Sequence, residues 1–404
     1  MTKAGVDVLV VGAGPAGSAT TCHLARQGYR VVAVDRATFP REKACSEYMS
    51  PEAVRLLDRL GVVPTLEAAG AVPLYGTTVI GPAGSRLTGL FARAGVTLTR
   101  PSGFSIARRV LDHQLVQAAR SAGGEVLDGV GLEALLYENG AVGGAVLRDA
   151  AGRRRTIRAR LTIGADGLRS VVARRIGRRA HGRPSRMALV AHVTNVAGMS
   201  DIAEMHVGRS GYVGLNHLGK GVTNVALVVP RALTTGAKGR APEFFQEQLE
   251  LLPGVRGRVP RDGIVREVLV TGPFAAWSGR VVTNGALLVG DAADFFDPFT
   301  GEGIYSALRG AELVADAAAE ALSCPGPVAA SRLAGYVGAR RRAFAGKWAL
   351  ERLIGYAMLL PALFDRAVER LERRGLAHTL IGATGDLIPA REVLHPAFLA
   401  RMVL

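Results

Sequence analysis

The sequence predicts an α/β fold: a parallel sheet, an antiparallel sheet inserted into it, and a helical C-terminal segment. Three observations predict it. Residues 6–35 run strand, glycine turn, helix, strand, the order of a parallel crossover unit. Two later apolar runs stop at glycine–acid turns, Gly164-Ala165-Asp166-Gly167 and Gly290-Asp291, as further strands of the same sheet would. Residues 187–270 instead break into strand-length apolar runs of a different register, which marks a separate antiparallel sheet.

The opening unit carries the chemistry. Its first strand, Val6–Val11, is apolar but for Asp7 near its start, as suits a strand buried on both faces. In the turn Gly12-Ala13-Gly14-Pro15-Ala16-Gly17, Gly12 allows the sharp bend, Gly14 lets backbone approach a pyrophosphate, and Gly17 lets helix and strand pack closely. The following helix presents free N–H groups and a partial positive charge to phosphate. Asp35, ending the second strand, can accept hydrogen bonds from a ribose diol. The set predicts a bound dinucleotide; the plainer reading is a crossover unit with a glycine-rich turn and no ligand.

Composition narrows the function. Of 404 residues, 49% are apolar, enough for two domains with sizeable cores. No window reaches the ~18–20 uninterrupted apolar residues of a spanning helix, and the apolar start lacks a basic flank and a cleavage site. Cys22, Cys45 and Cys324 are scattered and fit neither a metal site nor a disulfide framework, so no metal and a cytoplasmic location are expected. The net charge of +16 comes almost entirely from arginine. These arginines are dispersed and no nucleic-acid-binding motif accompanies them, so no nucleic-acid partner is expected.

In chain order, residues 36–51 have little periodicity and read as a long loop beside the ligand, a usual place for function. Its candidates are Arg36, Arg41, Lys43, Ala44 and Cys45; Arg41 and Lys43 suit phosphate oxygens, or else are solvated charge. Ser50-Pro51 starts a helix that ends near Gly61. Residues 72–99 suggest short antiparallel strands. A helix follows with Leu111, Leu115, Val116 and Ala119 on one face, then a strand at 125–130 and a hairpin around Asn139-Gly140. Residues 153–160 read as a polar edge strand protected by arginines. Asp166 lies where ligands of open α/β sheets bind, unless it caps the next helix. Strands at 187–193, 202–207, 212–216 and 222–229, with a helix at 242–252, read as the substrate-binding part. After Asp291 a proline- and glycine-rich loop leads to a long helix from Gly303, whose free N–H groups can stabilise negative charge. Residues 353–364 are very apolar but too short to span a bilayer. They read as a tail packed on the body, or as a pocket lid or membrane-touching surface. The expected domains are 1–71, 101–182 and 276–325 for the nucleotide, 72–100 and 183–275 for substrate, and 326–404 as the helical region.

Four ordered motifs carry a resemblance: GAGPAG at 12–17, Arg108 followed by Leu111-Asp112, GADGLRS at 164–170, and GDAADFFDPFTGEGI at 290–304. Over roughly residues 4–325 the chain resembles the flavin-dependent monooxygenases of the para-hydroxybenzoate hydroxylase fold, in the branch that holds geranylgeranyl reductases and phenolic-lipid hydroxylases. The resemblance implies a Rossmann-like FAD-binding domain with an inserted antiparallel-sheet substrate domain. It implies that Gly12, Gly14 and Gly17, with Pro15 and Ala16, approach the pyrophosphate and that Asp35 takes the adenosine ribose. Arg108 would reach the phosphates, Val130 would offer backbone to the adenine, Asp166 and Gly167 would sit near the cofactor, and Asp291 beside Gly290 would bind the ribityl chain. Pro298, Gly301, Gly303 and Ile304 would line the isoalloxazine. The PREKACSEYMSP stretch is similar to the reductase-branch loop, with Ser46 where glycine usually follows the cysteine. The WxWxIP stretch of flavin halogenases is absent.

By this resemblance the first expectation is a monooxygenase of secondary metabolism. It would use NAD(P)H and O₂ to hydroxylate a hydrophobic aromatic substrate, a phenolic lipid or polyketide-derived phenol. A phenol would benefit from a base; His217, Tyr212 and Asp297 are the candidates, each also open to a structural reading. The second expectation is a reductase of isoprenoid double bonds, and the third a flavoprotein that only binds or passes electrons. A monomer or homodimer, with peripheral membrane contact, completes the expected partners.

Overall fold

The computed structural model describes residues 5–237 and 239–403. Its first sheet is eight-stranded. Val6–Val11 lies at the centre, parallel to Val31–Asp35 on one side and to Arg154–Gly164 on the other; Ala286–Leu288 and Glu125–Asp128 extend the parallel set outward. The register matters more than the order. Val11 is level with both Val34 and Gly164, and Gly164 is level with Leu288. Four strands therefore end together, and backbone bonds tie the ends: Gly12 N–H donates to Val34 at 2.7 Å, Ala165 to Val11 at 2.7 Å and Val289 to Gly164 at 2.9 Å. The turns near residues 14, 166 and 291 emerge side by side, at the edge where such sheets bind ligands.

The run at 153–160 is not an edge strand. It is the first half of one 11-residue strand, Arg154–Gly164, paired antiparallel with Ala141–Asp149 before it enters the parallel sheet. Alternation explains the misreading: Ile157 and Ala159 are buried while Arg154 and Arg158 face solvent, where Arg154 meets Glu133. The strand expected at 125–130 is divided too. Gly129, at φ 72°, turns the chain between Glu125–Asp128 and Val130–Glu138.

The second sheet has seven strands, in the order Ile264–Thr271, Arg186–Thr194, Val222–Pro230, Tyr212–Gly219, Ile202–Val207, Gly76–Ile80 and Arg86–Leu90. Period two divides its two faces. Leu189, Val213, Leu215, Val225 and Leu227 pack against Phe244, Phe245 and Leu249 of the helix Ala241–Glu250; burying each of these side chains contributes about 1.5–3 kcal/mol. The alternate residues, Ala188, Val190, Tyr212, Ala226 and Val228, face the first sheet.

The C-terminal helices cover the exposed edge of this sheet, which would otherwise offer unpaired backbone. Thr88 N–H donates to Glu372 at 2.9 Å, Leu90 N–H to His378 Nδ1 at 3.0 Å, and Asp365 accepts from Ala83 N–H and the Ser85 hydroxyl. Among the described residues no helix is long and apolar enough to cross a membrane.

Candidate active site

One cavity of about 480 Å³ runs from the glycine turn to the inner face of the second sheet. Except for Gly17 and Gly290, every residue nominated for the cofactor lines it. Gly12, at φ 101°, takes a backbone shape that L side chains avoid, and a Cβ there would collide with the 165–166 backbone. Gly17 is buried instead: a Cβ on it would strike the Gly12 carbonyl, so its work is helix–strand packing rather than ligand contact. Gly290 is half-buried at φ 59°, and a Cβ on it would stand 3.1 Å from that of Ala16.

The helix Pro15–Arg26 begins at Gly14 with no side-chain cap, leaving its first N–H groups toward the cavity. Asp35 is held in place by two backbone donors, Ala13 N–H at 2.8 Å and Ala37 N–H at 2.9 Å. Asp112, wholly buried, grips Arg108 through two bonds of 2.7 and 2.9 Å and Arg41 at 3.0 Å. One carboxylate thus positions two guanidinium groups, and their combined charge exceeds its own. Lys43 stands beside them; burial, then Arg108 and Arg41, pull its pKa below the usual range. An anion would relieve this crowding.

Across the cavity, burial raises the Asp291 carboxyl above its ordinary value, opposed by Lys43, Arg108 and Arg179. Arg179 pins that turn from behind, donating to the carbonyls of Asp291 at 2.8 Å and Ala292 at 2.7 Å. Asp166 does two things: it lines the cavity, and it caps the next helix by accepting from Ser170 Oγ and from the N–H groups of Val171 and Val172.

The three proposed bases separate. Tyr212 lines the cavity, but its hydroxyl donates to Asp297 at 2.6 Å; burial, then Asp297, lift its pKa far above the ordinary value. Asp297 lies outside the cavity, paired with Arg186 at 2.7 Å. His217 is not at the cavity either. It is an odd number of residues from Tyr212 on the same strand, so it falls on the opposite face.

Sequence reasoning did not find Arg186, Arg179 or Glu47. Glu47, fully buried, holds the Arg41–Cys45 loop to the second sheet: His192 Nε2 lies 2.6 Å from it, Asn224 donates at 2.8 Å and Arg108 N–H at 2.8 Å. Its partners His192 and Asn224 lie 145 and 177 residues away, and no local pattern announces such a set.

A family model described as "FAD binding domain" matches residues 5–349. The chain belongs to the FAD binding domain family. It is an FAD-dependent oxidoreductase. Digeranylgeranylglycerophospholipid reductase 1 of Methanothermobacter thermautotrophicus is 32% identical over 339 residues, covering 82% of this chain and 81% of that protein. Menaquinone reductase of Mycolicibacterium smegmatis is 30% identical over 327 residues, 77% of this chain and 75% of that protein. Among solved structures, a geranylgeranyl bacteriochlorophyll reductase-like protein from Thermoplasma acidophilum has a TM-score of 0.77 at 21% identity, covering 98% of each chain. The flavin-dependent brominase Bmp2 reaches 0.80 at 18% identity, covering 98% of this chain and 99% of that one. Such low identities establish the fold alone. The cradle of this FAD binding domain fits the cofactor. The uncapped helix and Lys43 suit the pyrophosphate, Asp35 the adenosine ribose, Val130 and Gly131 the adenine, and Asp291 the ribityl hydroxyls. The remaining length of the cavity is mainly apolar, with Arg169, Tyr212 and Thr271 on its wall.

Proposed function

We propose that this oxidoreductase saturates carbon–carbon double bonds in the isoprenoid chain of a lipid, with FAD as its hydride carrier and NAD(P)H as its source of electrons. One observation carries the reading. The cavity continues past the cofactor cradle into a chamber walled by Ala188, Val190, Met205, Gly214, Ala226, Val228 and Phe274, with no free base among them. An unsaturated hydrocarbon needs shape and dryness there, and no charged partner. Each saturation adds one hydride, which bound FAD would supply, and one proton, taken up from the medium; the protein fixes the chain against the flavin.

Hydroxylation of a phenol, the first expectation from sequence, asks for something this chamber lacks. A phenolic proton needs an acceptor, yet Tyr212 is itself a donor and His217 lies on the far face. Two relatives near 30% identity carry reductase names, in keeping with this preference.

Incubation of the purified flavoprotein and NAD(P)H with prenylated lipids and with long-chain phenols, with and without oxygen, tests the reading by mass spectrometry. The expected product appears without oxygen and gains two hydrogens per bond. A product that forms only with oxygen and gains an oxygen atom overturns it.

A further inference from the structure

The corner between the helices Ala334–Ala357 and Pro361–Arg373 is built like a two-sided wedge. Its inner side, Met358, Phe364 and Val368, is buried in the same apolar cluster as Ala188, Val190, Val228 and Phe274 of the cavity wall. Its outer side exposes Leu353, Tyr356, Leu359, Leu360 and Leu363, five large apolar side chains within eleven residues. Leu359 and Leu360 are 55% and 56% exposed, at the very turn of the chain. A contiguous apolar patch on a protein otherwise rich in surface charge marks an interaction surface.

The charge around the patch says what it meets. Residues 353–364 contain no acid. Exposed Arg352 and Arg366 bracket the patch, and exposed Arg183 adjoins it, its carbonyl accepting from the Tyr356 hydroxyl at 3.1 Å. The flanking acids do not face out. Asp365 is buried and bonded to Ala83 and Ser85, and Glu351 lies beside Lys347 at 3.7 Å. Trp277, 45% exposed, packs on Gly182 next to Arg183. Leucines at the tip, a tyrosine and a tryptophan at the margin, and arginines around them match the layers of an anionic bilayer surface: acyl chains, interface, headgroups.

We infer that this corner seats the protein on an anionic lipid bilayer, so that a lipid chain leaving the membrane meets the wedge beside the apolar chamber. The second half of that statement rests on the function proposed above; the seating itself does not. The corner is too short to span, so the contact is peripheral and weakens with salt.

Vesicle co-sedimentation tests it, using the FAD-loaded protein with phosphatidylcholine vesicles containing equal phosphatidylglycerol, or none, at low and high salt. The wild-type protein is expected to partition onto the anionic vesicles at least tenfold more strongly than onto neutral ones, and high salt to reduce that preference. The Leu359→Glu/Leu360→Glu variant is expected to lose at least tenfold of the binding, and Arg352→Ala/Arg366→Ala to lose the preference for anionic lipid. Flavin absorbance and thermal midpoint should stay unchanged in both, because the altered side chains are exposed. Equal binding by the leucine variant overturns the inference. So does a dimer that this variant converts to a monomer without any change in vesicle binding, since a second copy would then cover the corner. Reduction of detergent-dispersed lipid by a protein that ignores vesicles would refute the seating and leave the catalytic reading standing.

Discussion

Single residues decide whether the cradle holds its cofactor. Asp291 stands among Lys43, Arg108 and Arg179 with its carboxylate toward the cavity, available to ribityl hydroxyls. A hydrogen bond to a charged group is worth about 1.5–3 kcal/mol, so Asp291→Ala is expected to weaken FAD retention about ten- to a hundredfold. Flavin absorbance per mole of purified protein reads the outcome; a fully yellow variant contradicts it. Glu204 gives a pH signature. Burial pushes its carboxyl up, but hydrogen bonds from His206 and Arg258 outweigh burial and hold it at about 2, against an ordinary 4.5. The folded value is the lower one, so the pairing stabilises fully above about pH 4.5 and its contribution is lost as pH falls through 2. Urea midpoints of Glu204→Gln should lie below wild type at neutral pH and converge with it on acidification; parallel curves would refute the assignment. Asp35, Asp166 and Asp291 were legible in the sequence because each closes an apolar run, a purely local signal. Asp297 was legible but its partner Arg186 was not, since their ion pair joins positions 111 residues apart. His217 was misplaced because a strand's alternation cannot be phased to a cavity until its neighbours are known.

Elements were legible where periodicity was unmixed. The opening crossover unit and most of the inserted strands lie within one or two residues of their expected bounds, the strand expected at 212–216 running on to Gly219, whereas the strand Arg154–Gly164 was cut in two because its halves serve different partners. The C-terminal helices were visible as helices, but what they cover was not. Their contact with the strand Arg86–Leu90 depends on Gly89, where a Cβ would collide with the Ile381 side chain and the Ala377 carbonyl. Nothing in the local sequence distinguishes this glycine from a turn residue. Gly89→Ala must therefore push the helix Ala377–Thr384 off the sheet edge, at a cost of about 1–3 kcal/mol. The expected result is faster tryptic cleavage in the arginine-rich stretch 366–374 with little change in flavin content. Unchanged proteolysis would show that the edge tolerates the extra methyl.

At the scale of the molecule, the two sheets are joined by buried charges rather than by apolar contact alone. Glu47, from the loop after a strand of the first sheet, is bonded to His192 and Asn224 of the second, and Arg266 lies 3.4 Å from it. Arg186 of the second sheet pairs with Asp297 beyond the end of the first. Unfolding one sheet would take away the partners of groups in the other, at several kcal/mol for each pair broken while the remaining charge stays buried. Neither sheet can unfold first at low cost. The cradle that suits FAD lies where the strand ends converge, and a ligand at a hundred times its dissociation constant stabilises the folded state by about 2.7 kcal/mol. That energy must therefore be shared by the whole chain. Calorimetry with and without added FAD should show one transition that moves upward as a unit by several degrees. Two transitions, only one of them sensitive to FAD, would mean that the buried pairs do not couple the sheets and that the cavity between them forms without their help.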